Sequence, residues 1–391
     1  MASHGALAHS RTAQRFLLAI DKNFKNTKNT KITKFTKIKK INFKKHFRLF
    51  RLFRVFRVKI FLTTIIMNKL IVTADDLGFS PSVNGAIIEA HKNGVLTAAS
   101  LMVNMPFAEQ AAEQVSTETP KLGLGLHICL TSGKPVSHPS EVPLLVNKNG
   151  DFCRSFPSLL ALLNFSSARK KAAARTQVEK EILAQFDKMR KFVRQYNLVF
   201  DHLDSHQHIH FIPGIDAAVW RVLDEWNNEL RDRSTPPLIL RRPVEIFGTY
   251  QRMKSRFSKY FPGGLAKKMI LTKLSEDSIQ MNNRSDVPFP GYFGILETGK
   301  MNASAWESAM SVFKKLPVWK ETVSGESGRV AELNLHPSLD ANIDSRCCCS
   351  KADRKFHQSP FRRQEFETLV SSATIDLLAK YNIETTSFGN I

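Results

Sequence analysis

Leu70-Ile71-Val72-Thr73-Ala74-Asp75-Asp76 decides the reading of the fold. Five residues, mostly apolar, end in two acids, the pattern of a buried strand that delivers carboxylates at its C-terminal end. Ser80-Pro81 follows with an N-cap and a first-turn proline. Val83, Ala86, Ile87 and Ala90 then fall at helical spacing, and Gly94 closes the helix. Strand, turn and helix make one βα unit.

Working outward, the unit repeats. Strands are predicted at 98–103, 122–126, 198–203, 238–241 and 330–335, with helices at 107–115, 167–196, 213–229, 303–314 and 364–381. Residues 132–155 read as a loop, and 243–300 show no clear period. Alternating strands and helices imply a parallel sheet. About 320 residues of core predict the α/β class: a distorted (β/α) TIM-like barrel forming a single catalytic domain over residues 67–391.

Composition sets the arm apart from that domain. The net charge is +22. Residues 1–66 hold 17 Lys and Arg against one acid, Asp21, while the remainder holds 40 bases against 34 acids. Two runs within the arm repeat every three residues, which fits neither a helix nor a strand. It is expected to be a disordered tail, or to reflect a start assigned ahead of Met67. The near-balanced remainder calls for no nucleic-acid partner. No apolar run approaches the ~20 residues of a membrane span. Five cysteines, three of them adjacent at 347–349, lack a disulfide pattern, and a reducing, cytoplasmic setting is expected. A homodimer is compatible with the sequence.

Four apolar runs end in groups able to bind a metal or move a proton. Asp75-Asp76 follows 70–74, His127 follows 122–126, Asp204-Ser205-His206-Gln207-His208-Ile209-His210 follows 198–203, and His336 follows 330–335. In a parallel barrel these ends share one face. Adjacent acids on a strand point to opposite sides, so one can bind a cation while the other accepts a proton. One carboxylate with two imidazoles suits a catalytic divalent ion. Helix capping ahead of Ser80 is the alternative role for the acids.

These residues also carry a resemblance. Ile71-Val72-Thr73-Ala74-Asp75-Asp76-Leu77-Gly78, Thr97 to Asn104, Gly125-Leu126-His127, His202 to His210 and Leu335-His336-Pro337 resemble, in order and spacing, the YdjC-like carbohydrate deacetylases. That resemblance implies hydrolysis of the N-acetyl group of an amino sugar, such as a chitooligosaccharide or a glucosaminyl lipid, with release of acetate. It implies a divalent metal, usually magnesium, with zinc or manganese also tolerated. By position, Asp76, His127 and His206 correspond to the metal ligands, Asp75 to the catalytic base and His336 to the acid. His208, His210 and Asn104 are expected to contact substrate. The segment 341–361 lies outside the resemblance and is expected to be an insertion that leaves the site untouched. Two other readings stand beside this one: a metal-dependent phosphoesterase and a non-catalytic sugar-binding barrel.

Overall fold

The computed structural model describes residues 67–230, 237–245, 261–284, 287, 289–313, 316, 328–340 and 351–391. The basic arm and the three adjacent cysteines lie outside the described residues.

β1 (Met67–Leu77) is the centre of the sheet. Leu70, Ile71, Val72 and Ala74 are completely buried, as an unbroken apolar strand covered on both faces requires. The helix α1 (Pro81–Asn93) starts where the sequence placed it, with the Ser80 hydroxyl accepting from Val83 N. β2 (Ala98–Leu101), α2 (Ala108–Glu118) and β3 (Gly123–Ile128) follow. β4 (Phe200–Ser205), β5 (Ile239–Leu240), β6 (Gly291–Phe293), β7 (Gly328–Leu335) and β8 (Glu384–Thr386) complete the sheet.

The strand order is β5-β4-β3-β2-β1-β7-β6, and every pairing is parallel. β8 adds to the first half of β1, before β2 joins the same strand further along. An isolated parallel bridge from Glu245, just beyond β5, to Tyr292 of β6 links the two ends of this order. The sheet is thus a curled seven-strand barrel that closes only loosely.

Between β3 and β4 run α3 (Phe156–Asn164) and the long α4 (Ala168–Tyr196). α4 buries Val178, Ile182, Phe186 and Met189 at helical spacing, each contributing about 1.5–3 kcal/mol. Asn197 ends it in the left-handed conformation. α3 escaped the sequence reading; a reciprocal Ser155–Ser158 capping box starts it.

α5 (Asp216–Leu230) follows β4, and α6 (Phe261–Met281) falls in the stretch that showed no period. α7 (Ala303–Val312) precedes β7. Beyond β7 come α8 (Lys351–His357), α9 (Phe361–Leu369) and α10 (Ser372–Lys380). The single helix expected over 364–381 is two, because the Ser371 hydroxyl caps Ala373 N and begins a new helix.

Candidate active site

All four polar clusters lie at the C-terminal ends of β1, β3, β4 and β7. The ends of β1 and β4 are reshaped by left-handed residues. Asp76 has φ 67°, and the β1–β2 register shifts between Ala74 and Leu77. Asp75 and Asp76 therefore do not point to opposite sides, as a regular strand would have them. His127 Nε2 lies 3.9 Å from Asp75 Oδ2 and 3.5 Å from Asp76 Oδ1. After β4, Gln207 and His208 both have φ 59°, which sends the three histidines of that cluster in different directions.

His206 turns toward β1, with Nδ1 2.9 Å from Asp76 Oδ1. Asp76, His127 and His206 thus converge, their candidate ligand atoms all within 4.8 Å of one another. All three are buried. The His127 Nδ1–H donates to Asp204 Oδ1 at 2.7 Å, which turns Nε2 toward the carboxylates of β1. A histidine oriented by a carboxylate in this way is the usual support of a metal ligand. Asp76 Oδ2 and His206 Nε2 are buried without hydrogen-bond partners. The donor set, its support and these two unpartnered atoms fit a divalent cation.

A second grouping, Asp75–His127–Asp204, has comparable spacing, but a side chain already neutralises it. Arg241, at the end of β5, is completely buried. Its Nη1 lies 2.9 Å from Asp75 Oδ1 and 2.5 Å from Asp204 Oδ2, and its Nε donates to Glu332 Oε1 at 2.7 Å. The Ser100 hydroxyl donates to Asp204 Oδ2 at 2.6 Å. Four carboxylates therefore meet one guanidinium and the imidazoles in a water-poor space, where unpaired charge would be costly.

The electrostatics follow. Burial raises the Asp75 carboxyl above the usual range, with Arg241 opposing it. Burial acts the same way on Asp76, but the His206 and His127 imidazoles outweigh it and hold its carboxyl well below the usual range. Burial opposes charge on His127, yet Asp204 and Asp75 raise it to about 10. His206 is likewise raised to about 10, against burial, chiefly by Asp76.

His336 brings Nε2 to 3.8 Å from Asp75 Oδ2. Burial pushes it well below the ordinary imidazole value, and its Nδ1 has no hydrogen-bond partner. Glu365 of α9 fixes its backbone, accepting from His336 N at 2.6 Å.

The residues expected at the substrate divide. His208 is buried against Tyr292, ring centroids 6.0 Å apart, and neither His208 Nδ1 nor the Tyr292 hydroxyl has a hydrogen-bond partner. His210 does not fit the expectation. It is completely buried, with Nδ1 on the Ser205 hydroxyl at 2.5 Å and Nε2 on the Arg241 carbonyl at 2.9 Å. Both ring nitrogens serve the fold. Asn104 donates to the carbonyls of Ser132 and Lys134 and so ties down the chain beyond β3.

The segment 341–361 also departs from expectation. Its described part is not remote from the site, because α8 carries His357 to 3.6 Å from Asp76 Oδ2 and Asp353 to 4.0 Å from His206 Nε2. Arg241 and Asp204 were legible as polar residues closing apolar strands; nothing local in the sequence marks His357.

Comparison with known proteins places the chain in a family. A family model described as YdjC-like protein matches residues 69–380. A carbohydrate deacetylase of Geobacillus stearothermophilus is 35% identical over 197 residues, covering 50% of this chain and 69% of that protein. One from Thermoanaerobacter pseudethanolicus is 29% identical over 257 residues, covering 66% of this chain and 93% of that protein. A chitooligosaccharide deacetylase of Salmonella paratyphi B is 36% identical over 167 residues, 42% of this chain and 60% of its own. In structure, an Enterococcus faecalis protein named for cellobiose-phosphate cleavage superposes with a TM-score of 0.53 at 22% identity, covering 82% of this chain and 98% of its own, which speaks for the fold alone. With its barrel, its strand-end acids and histidines, and a match over most of its length, the chain belongs to the YdjC-like family.

Proposed function

We propose that this protein removes the acetyl group from an N-acetylated amino sugar, with Asp76, His127 and His206 holding a divalent cation. The convergence of those three buried side chains carries the reading, and the relatives named as carbohydrate and chitooligosaccharide deacetylases support it. When bound, the cation would polarise the acetyl carbonyl and make a water more acidic.

The remaining residues divide the proton work. Asp75 takes the proton of the attacking water. Arg241 fixes its orientation and keeps the carboxylate available against burial. His336, neutral at rest, receives that proton from Asp75 across 3.8 Å and passes it to the departing amine nitrogen. Catalytic pairs separated by this much commonly tighten once substrate is bound. His208 Nδ1 and the Tyr292 hydroxyl offer buried polar atoms to sugar hydroxyls. Burial holds the Tyr292 phenol protonated, so it donates.

A two-cation phosphoesterase is disfavoured by Arg241, whose guanidinium stands where the second cluster would place an ion. The direct test is a screen of N-acetylated mono- and oligosaccharides alongside phosphate esters. Acetate release without phosphate release is expected, and the reverse would contradict the proposal.

A further inference from the structure

α8 brings a third imidazole to the carboxylate of Asp76. His357, its last residue, is 3% exposed, and its Nε2 lies 3.6 Å from Asp76 Oδ2. Neither atom has a hydrogen-bond partner. Two buried polar atoms thus face one another across a gap too wide for a good hydrogen bond. A buried polar atom left unsatisfied is costly, so something is expected between them.

The imidazole is held in that position. It stacks on Phe79, ring centroids 3.7 Å apart and planes at 18°, and meets Phe356 edge-on at 5.2 Å. Phe79 belongs to the turn that follows Asp76, its N–H donating to the Asp76 carbonyl at 3.0 Å. α8 is therefore keyed to the same turn that aims the Asp76 carboxylate. The helix is also tied to the loop after β3, because the Ser132 hydroxyl donates to Asp353 Oδ2 at 2.6 Å.

We propose that His357 is a fourth side chain of the cation site, and that it makes this site select a zinc-class ion over magnesium. The inference rests on the reading that Asp76, His127 and His206 hold a cation. One carboxylate with two imidazoles is tolerated by several divalent ions. A third imidazole changes that balance. Magnesium prefers oxygen ligands and keeps most of its waters, whereas imidazole nitrogen suits zinc and its neighbours.

The test uses the full chain, stripped of metal and titrated separately with zinc and magnesium. Wild type, His357→Ala, His357→Gln and Asp76→Asn are compared, and thermal unfolding of the metal-free proteins verifies folding. Wild type is expected to prefer zinc, and both His357 variants to lose about 10–100-fold in zinc affinity. Their magnesium affinity is expected to stay within about twofold. The visible spectrum of the cobalt(II)-loaded protein should differ between wild type and His357→Gln, since the ligand set changes. Unchanged zinc affinity and cobalt spectrum in His357→Gln would overturn the inference, as would equal losses for zinc and magnesium. Asp76→Asn separates the two levels. If it abolishes binding while the His357 variants bind as wild type does, only the present inference falls. If it binds zinc as wild type does, the cation site itself has been misplaced and both readings fall.

Discussion

Asp76 shows how one backbone angle can set the chemistry of a side chain. Its φ of 67°, a conformation costing of order 1 kcal/mol, brings it beside Asp75 on His127, where a regular strand would have parted the two. Their roles then separate by experiment. Asp75→Asn is expected to lower kcat for acetate release by about 10²–10⁴ while calorimetric metal affinity stays within a few-fold; loss of both would move Asp75 into the ligand set. Protons report on the other residues. His127 and His206 are raised to about 10 by their carboxylates in the metal-free protein. At neutral pH both therefore hold protons that a cation must displace. Binding should release about two protons and tighten as pH rises, as calorimetry in buffers of different ionisation enthalpy would read. Metal-free stability runs the other way. Because the folded values lie above 6.5, these histidines stabilise the fold fully below pH 6.5, and the contribution fades as pH rises toward 10. His210, with both nitrogens engaged, behaves as a structural residue. His210→Ala should cost about 1–3 kcal/mol in urea unfolding and leave KM of the folded protein little changed.

Among the elements, the approach of β3 to β4 governs how well the site is braced. A Cβ on Gly125 would lie 2.3 Å from His202 Cδ2 and Nε2. His202 is completely buried and sits 3.2 Å from the Ser100 hydroxyl that donates to Asp204. Gly125→Ala should therefore destabilise by about 1–3 kcal/mol and weaken metal binding through Asp204 and His127, both measurable on the purified variant. Element by element, the sequence was legible where burial leaves a simple mark. β1 and β3 carry apolar runs with polar ends, β4 and β7 are buried strands with polar residues among the apolar ones, and the rule that chemistry sits at strand ends picked out Asp75, Asp76, His127, His206 and His336. Arg241 obeys the same rule at the end of β5, but a guanidinium takes the place of a metal ion among carboxylates and so carries no metal-ligand signal. α8 carries no such mark. It has seven residues, too few for a clear period, and its position depends on Phe79 and Ser132, both more than 200 residues away in sequence. The direction of each histidine after β4 was hidden for a related reason, since two successive left-handed residues follow from packing and leave no spacing pattern.

At the scale of the whole molecule, charge and chemistry occupy different parts of the chain. The basic excess belongs largely to residues 1–66, whereas the family match covers 69–380 and includes every residue proposed for the site. Among the described residues, no helix is long and apolar enough to cross a membrane. Deleting residues 1–66 should leave kcat/KM for a soluble N-acetylated sugar within about twofold, since charge outside the site acts chiefly on encounter with charged partners; a larger fall would assign the arm a part in catalysis. The central claim is that one cation, held by Asp76, His127 and His206, drives the release of acetate. The most direct measurement is acetate release by metal-stripped protein as a divalent ion is added back. Activity should be absent at the start, return with one ion per chain, and fail to return in Asp76→Asn. Full-rate acetate release from the stripped wild-type protein would contradict the account.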